Sequence, residues 1–119
     1  MTAKATVLPP AWRRVERRGA LHLPVGLNER LRFYRYNPGE YFAVHRDGPY
    51  IRDSREFSLL TVLLFLNDEF TGGETRITEP RYACDVVPVR GSALCFSHRL
   101  LHEGAAVTAG TKYILRTDV

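Results

Sequence analysis

From residue 30 onward, hydrophobic and polar positions follow the two-residue period of β-strands, and turn residues interrupt the pattern at short intervals. The interruptions include Asn37-Pro38-Gly39, Gly72-Gly73, Arg90-Gly91 and Ala109-Gly110. Between these breaks the pattern predicts eight strands, at 30–36, 41–47, 57–67, 73–78, 83–89, 92–97, 103–108 and 111–118. No helical pattern of about 10–15 residues alternates with them, which excludes a sheet of parallel strands joined by helices.

Eight short strands are typical of a double-sheet jelly roll, the cupin-like double-stranded β-helix. The predicted fold class is therefore all-β. The third strand, 57–67, is long and almost continuously apolar, so we expect it to lie in the centre of a sheet with both faces buried.

The N-terminal segment follows a different pattern. Pro9-Pro10 suit the first turn of a helix and Gly19 suits the position just past a helix end, which predicts a short helix over 11–18. A chain of 119 residues is expected to hold one folded domain. We therefore divide it into an N-terminal leader with a short helix (1–29) and a double-stranded β-helix domain (30–119).

Composition excludes several classes of protein. The chain is 45% hydrophobic and 25% charged, as in soluble globular domains. Its longest apolar run, 59–66, is far shorter than the roughly 20 residues of a membrane span. The N-terminus shows no apolar signal sequence. We expect an intracellular, cytoplasmic protein without a membrane partner.

Charge and cysteine usage change the picture little. The net charge is +4, and Arg13, Arg14, Arg17 and Arg18 lie within six positions. Such a patch can attract phosphates, but no aromatic interleaving or nucleic-acid motif accompanies it, so a nucleic-acid partner is not predicted. The two cysteines lack CxxC spacing and are expected to be reduced thiols.

The tripeptide His45-Arg46-Asp47 carries the first candidate chemistry. In a strand, residues i and i+2 point to the same face, so this imidazole and this carboxylate converge. A second histidine from a distant strand would complete the two-histidine, one-carboxylate triad that binds non-haem Fe(II).

His98 and His102 compete for the third position. Their four-residue spacing occurs in helical zinc proteases, but that motif needs a glutamate directly after the first histidine, and Arg99 stands there. We prefer His102 as the ligand and interpret His98 as a loop residue or a residue behind the ligands.

The last predicted strand supplies a cation. Lys112 lies ten residues beyond His102, and Ile114 and Arg116 share its direction on the strand. A lysine inside an apolar barrel needs an anion, because an unpaired buried ammonium is costly. A cosubstrate that bears a carboxylate is one such anion, whereas a solvent-facing lysine on an edge strand is the alternative.

Several further motifs stand in a fixed order along the chain. They are the segment 32–41 (RFYRYNPGEY), His45-Arg46-Asp47, the strand 58–67, Gly72-Gly73-Glu74-Thr75, and His102-Glu103-Gly104 followed by Lys112. In order and spacing, over residues 28–118, they resemble the Fe(II)- and 2-oxoglutarate-dependent dioxygenases, specifically the prolyl 4-hydroxylase-like branch.

The resemblance implies roles for individual residues. It implies that His45, Asp47 and His102 bind Fe(II) and that Lys112 binds the distal carboxylate of 2-oxoglutarate. The hydroxyl of Tyr36 would contact the same carboxylate as that lysine. Two further residues are cosubstrate candidates by the same resemblance: Thr61, on the central strand, and Arg116, as a second inward cation.

The implied reaction is hydroxylation of an aliphatic carbon, in a prolyl residue of a protein or peptide or in a small molecule. It releases succinate and CO2, with ascorbate as the reductant. Two alternatives remain: a jelly-roll module that binds metal, ligand or protein without turnover, and a nucleic-acid demethylase of the same superfamily. We also expect the polar segment 48–56 to form a lid near the iron.

Overall fold

A computed structural model describes residues 15–17 and 20–119, and the described part of the chain contains strands and no helix. The strands are β1 (Val15–Arg17), β2 (Ala20–His22), β3 (Arg32–Tyr36), β4 (Phe42–His45), β5 (Leu60–Phe65), β6 (Phe70–Gly72), β7 (Thr75–Glu79), β8 (Tyr82–Val86), β9 (Ala93–Ser97), β10 (His102–Gly104), β11 (Val107–Gly110) and β12 (Lys112–Asp118). Within the described residues, no helix is long and apolar enough to cross a bilayer.

Two four-stranded sheets form the body of the molecule, in the orders β4-β10-β7-β8 and β3-β12-β5-β9. Two-stranded ribbons, β11-β6 and β1-β2, accompany them, and every pairing is antiparallel. Strands distant in sequence are neighbours in both sheets. This architecture confirms the predicted all-β jelly roll.

The core lies on the inner face of the sheet that contains β5. Leu63, Phe65, Phe96 and Ile114 form its buried cluster. As predicted, β5 occupies an interior position, paired with β12 on one side and with β9 on the other. It is shorter than the predicted strand 57–67, because Ser58 and Leu59 bond to loop and terminal backbone.

The predicted strands 73–78 and 103–108 both meet a break in the structure. The segments 70–79 and 102–110, which are far apart in the chain, form one long antiparallel pairing that is kinked, so that β7 pairs with β10 while β6 pairs with β11. The kink lies at Gly72 and Gly73, which have φ of 76° and 69°, opposite Ala106. A Cβ on Gly72 would lie 2.4 Å from the Ala106 carbonyl oxygen, so the backbones approach too closely there for a side chain.

The predicted helix over 11–18 is wrong where the structure describes it. Val15–Arg17 is a strand that pairs with Ala20–His22, whereas residues 11–14 and 18 lie outside the described residues. A helix of two turns is marginal in water, because few of its hydrogen bonds offset the cost of nucleation. Pairing with the next segment provides backbone partners for Val15–Arg17 instead.

Candidate metal centre and its pocket

Two neighbouring strands bring the two histidines of the triad together. His45 ends β4, His102 begins β10, and the two residues stand opposite each other in the antiparallel pair. Their ring centroids are 4.3 Å apart. Asp47 follows β4 by two residues, and its backbone N–H donates to the carbonyl of His98.

The side chains of His45, Asp47 and His102 converge on one point. Nε2 of His45 lies 3.2 Å from Oδ1 of Asp47, and Nε2 of His102 lies 3.6 Å from Oδ2 of the same carboxylate. One ligand atom from each of the three residues falls within 4.8 Å of the others. The candidate ligands chosen from the sequence therefore form a single cluster, which does not include His98.

The hydrogen bonds of the two rings leave one nitrogen of each ready to bind a cation. Nδ1 of His45 lies 2.7 Å from the carbonyl oxygen of Ala43, and Nδ1 of His102 lies 2.8 Å from that of Leu100. A carbonyl oxygen only accepts, so each Nδ1 carries a proton, and in the neutral form of the ring the lone pair is on Nε2, which faces the cluster. Burial also lowers the pKa of His102, which favours the neutral ring.

These donors fit Fe(II). Two imidazole nitrogens and one carboxylate oxygen, with positions left open, are the ligand set of non-haem Fe(II) oxygenases. The Asp47 side chain is buried beside the two rings, and a cation bound there would stabilise its carboxylate. The backbone carbonyls accept from the Nδ1 atoms and so orient the two rings, as hydrogen-bond partners of metal-binding histidines usually do.

A pocket extends from this cluster between the two sheets. The residues that line it come from both of them: Tyr34, Tyr36, Phe42, His45, Asp47, Leu63, Thr75, His102, Glu103, Gly104, Lys112, Ile114 and Arg116. Sequence reasoning missed Phe42, whose ring lies 4.1 Å from that of His45. Its place three residues before a candidate ligand was the available signal.

Lys112 provides a buried cation in the pocket wall. Its Nζ donates to the carbonyl oxygen of Gly73 at 2.6 Å and lies 5.4 Å from the centre of the Tyr36 ring. Burial lowers the pKa of Lys112 to about 8, against a smaller opposite effect of Glu74. Among the described residues no carboxylate forms an ion pair with Lys112, so an anionic ligand in the pocket would stabilise the buried ammonium.

Tyr36 stands directly opposite Lys112 in the β3–β12 pair. Burial, followed by the charge of Tyr34, raises the pKa of Tyr36 to about 12, so the phenol keeps its proton at neutral pH. The contact seen between the two residues is between the ammonium and the ring face. The phenol is thus a neutral hydrogen-bond donor in a pocket that also holds a cation.

Arg116 lies near the ligand cluster rather than beside Lys112. Its Nη2 is 3.3 Å from Oδ1 of Asp118 and 3.6 Å from Oδ1 of Asp47. Its Nε is buried and has no hydrogen-bond partner among the described residues. Four residues along a strand separate the Cα atoms of Lys112 and Arg116 by roughly 13 Å. The two cations therefore mark different parts of the pocket.

Thr61 lies behind Asp47 and is absent from the pocket wall. Its hydroxyl donates to Oδ2 of Asp47 at 2.5 Å and lies 2.7 Å from Nδ1 of His98. The segment 48–56 is also away from the pocket: its Tyr50, Arg52 and Glu56 border a second cavity, beside residues 23–29. The structure thus contradicts the predicted lid, because Arg52 pairs with Glu29 and Glu56 and ties the loop to that side.

Comparison with known proteins points in the same direction as this geometry. Residues 31–117 match the model of the 2OG-Fe(II) oxygenase superfamily. A protein of Acanthamoeba polyphaga mimivirus, provisionally named prolyl 4-hydroxylase, is 32% identical over 111 residues. The match covers 78% of this chain and 45% of the viral protein.

Solved structures of prolyl hydroxylases are similar as well. The collagen prolyl hydroxylase of Paramecium Bursaria Chlorella virus-1 superposes with a TM-score of 0.56 and 27% identity, over 76% of this chain and 60% of that one. The prolyl-4-hydroxylase of Pseudomonas putida gives 0.59 and 25%, over 74% and 49%. The chain spans about half the length of the curated relative. With the family model covering most of its strands, the chain belongs to the 2OG-Fe(II) oxygenase superfamily.

Proposed function

We propose that this chain is the catalytic domain of an Fe(II)- and 2-oxoglutarate-dependent dioxygenase that hydroxylates an aliphatic carbon and releases succinate and CO2. Residues 30–119 form the dioxygenase domain in this proposal, and residues 1–29 precede it. One observation carries the proposal: a His-Asp-His cluster within 4.8 Å shares a pocket with a buried lysine. Membership of the superfamily supports Fe(II) and 2-oxoglutarate as the cofactor and cosubstrate.

His45, Asp47 and His102 would hold the iron. Bound Fe(II) supplies the redox chemistry by which O2 oxidises 2-oxoglutarate and the substrate carbon. The protein contributes two imidazoles, whose carbonyl partners fix their orientation, and one buried carboxylate. The ring of Phe42 packs against that of His45 at the edge of this cluster.

Lys112 and Arg116 would bind the cosubstrate, which is a dianion with a carboxylate at each end. Lys112 would pair with the distal carboxylate, and the phenol of Tyr36 would donate to the same group. Arg116, whose Nη2 lies 3.6 Å from Oδ1 of Asp47, would bind the other carboxylate through its unpartnered Nε. The contacts of Thr61 support a role in holding Asp47 rather than in touching 2-oxoglutarate.

For the substrate, we propose a prolyl residue of a protein or peptide. The relatives named as prolyl hydroxylases support this choice over a small molecule. We propose ascorbate as the reductant that keeps the iron in the ferrous state. A screen of proline-containing peptides for a mass gain of one oxygen that depends on 2-oxoglutarate, with and without ascorbate, tests both.

The metal centre itself is tested without a substrate. Anaerobic addition of Fe(II) and 2-oxoglutarate is expected to produce a visible charge-transfer band, and single substitutions His45→Ala, Asp47→Ala and His102→Ala are each expected to abolish it. His22→Ala is the matched control, because His22 lies outside the pocket and its ring packs on Phe57. Retention of the band in all three triad variants would contradict the assignment, as would its absence from the folded wild-type protein.

A further inference from the structure

A chain of buried hydrogen bonds runs from Asp47 into the interior, away from the pocket. The hydroxyl of Thr61 lies 2.5 Å from Oδ2 of Asp47 and 2.7 Å from Nδ1 of His98. Nε2 of His98 lies 2.8 Å from the hydroxyl of Ser58, and that hydroxyl accepts from the backbone N–H of Tyr50 at 2.8 Å. Thr61, Ser58 and His98 are all buried.

The directions of these hydrogen bonds follow from the number of protons available. A carboxylate only accepts, so Thr61 gives its single hydroxyl proton to Asp47. The Thr61 oxygen must then accept, and Nδ1 of His98 is therefore the donor. This leaves Nε2 of a neutral His98 to accept from Ser58, whose oxygen is free to accept from Tyr50. In this series of hydrogen bonds, every hydroxyl and ring nitrogen of Thr61, His98 and Ser58 has a partner, and all the donors point in one consistent direction.

Asp47 has particular need of such support. It lies beyond the end of β4, so the regular hydrogen bonds of a strand do not hold it. His98 contacts it twice: through the carbonyl oxygen that accepts the Asp47 N–H at 3.0 Å, and through the ring by way of Thr61. The alternative partner of the ring, Oδ1 of Asp118, is 4.0 Å from Nε2, beyond hydrogen-bond distance.

We propose that Thr61 and His98 are positioning residues of the metal centre, which orient the Asp47 carboxylate before a metal binds. The inference rests on the proposed function, because it takes Asp47 as a metal ligand. Preorganisation of this kind raises metal affinity without any contact between these residues and the metal. It also gives His98 a role distinct from both a ligand and an ordinary loop residue.

The test is the affinity of the protein for Mn(II) alone, measured by electron paramagnetic resonance of the free ion. Thr61→Val keeps the side-chain shape but removes the hydroxyl, and we expect it to weaken Mn(II) binding by about 10–100-fold. Thr61→Ser restores the hydroxyl and is expected to bind within a few-fold of wild type. His98→Ala is expected to resemble Thr61→Val, and the double variant to lose little more, because the same link is already broken.

Thr117→Val is the matched structural control. Like Thr61, Thr117 is 1% exposed, and its hydroxyl donates to a buried partner, the carbonyl oxygen of Asn28 at 2.7 Å. This variant is expected to lose stability but to keep the wild-type affinity for Mn(II). Thermal unfolding without metal separates the two effects.

Two outcomes would overturn the positioning role while leaving the metal centre intact. One is a Thr61→Val or His98→Ala protein that binds Mn(II) as tightly as wild type. The other is an equal loss in Thr61→Val and Thr117→Val, which would reflect general destabilisation. A folded wild-type protein that binds no Mn(II) would instead overturn the proposed metal centre, and the positioning role with it.

Discussion

Lys112 is a charged residue in surroundings that most charged residues avoid. Lys4 and Lys112 are the two lysines among the chain's seventeen basic residues, and Lys112 is buried. Gly73 shapes its environment, because its carbonyl oxygen accepts from Nζ and a Cβ on Gly73 would lie 3.1 Å from Cδ of Lys112. A lysine can lose its proton in such a site, whereas an arginine stays charged. Binding of a dianion next to it should therefore depend on pH.

We predict that 2-oxoglutarate binds more weakly as pH rises above about 8, because the dianion needs the protonated lysine and burial lowers the pKa of Lys112 to about 8. The apparent Kd should rise by roughly fivefold from pH 8 to pH 9. Calorimetric titration of the Mn(II)-loaded protein at pH 7, 8 and 9 measures it. Lys112→Arg should remove most of the dependence, and an equally steep dependence in that variant would contradict the assignment.

The same pKa shift makes the free energy of unfolding of the ligand-free protein rise with pH, whereas it makes 2-oxoglutarate binding weaken with pH. The folded pKa of Lys112 is about 8, against an ordinary value of 10.5, so the unfolded chain binds more protons between these two values. The contribution of this group to the free energy of unfolding therefore rises with pH from about 8 to 10.5. Below about pH 8 the cost of burying the charged lysine is fully present, and the cosubstrate would offset it.

At the scale of elements, β5 holds the interior together. Thr61, Leu63 and Phe65 are successive inward residues of this strand, and they meet, in turn, the candidate metal ligand Asp47, the pocket and the core cluster. Packing and chemistry therefore lie along one strand, with the polar end next to the site and the apolar end away from it.

We predict that Phe65→Ala lowers the free energy of unfolding by about 3–5 kcal/mol, since it removes a buried ring and leaves a cavity. Phe65 is 2% exposed. Phe33→Ala is the control, because Phe33, on strand β3 of the same sheet, is 72% exposed and should change stability by about 0.5 kcal/mol or less. Urea unfolding followed by fluorescence measures both. Similar values for the two variants would contradict the assigned core.

At the scale of the whole molecule, bound metal and 2-oxoglutarate would link the two four-stranded sheets, which backbone hydrogen bonds between strands do not join. His45 and His102 belong to one sheet and Lys112 and Arg116 to the other, with the pocket between them. A metal with 2-oxoglutarate would therefore link both sheets through the Asp47 loop. A ligand that binds only the folded state stabilises it by mass action.

We predict that Mn(II) and 2-oxoglutarate together raise the Tm. At 100 times the Kd, one ligand contributes about 2.7 kcal/mol, which for a domain of this size corresponds to a rise of roughly 10 °C. Differential scanning fluorimetry measures the shift, and EDTA should reverse it. Asp47→Ala should abolish the shift, whereas His22→Ala should retain it. An equal rise in Asp47→Ala would show that the metal binds elsewhere.

Predictions that depend on neighbours along the chain held better than those that depend on contacts between distant residues. The two-residue period and the turn residues predicted the all-β fold and the interior place of β5, because these depend on neighbours along the chain. His45 and Asp47 converge as predicted, but Asp47 lies in the loop after β4, so strand alternation is not the reason. The helix over 11–18 failed at 15–17, where pairing with a second segment outweighed local propensity. The prediction of a lid at 48–56 was wrong, because the side of the molecule on which this loop lies depends on the contact of Arg52 with Glu29, which is 23 positions away.

The sequence by itself determined the strand-rich fold and the set of chemically able residues, since residue type and local periodicity are sufficient for both. Only the tertiary structure decided that His45 faces His102 across a strand pair, that the long antiparallel pairing bends at Gly72 and Gly73, and that Asp47, Thr61 and His98 are joined by hydrogen bonds. These depend on contacts between residues far apart in the chain. Burial and backbone hydrogen bonding select such contacts, and no local pattern of side chains encodes them.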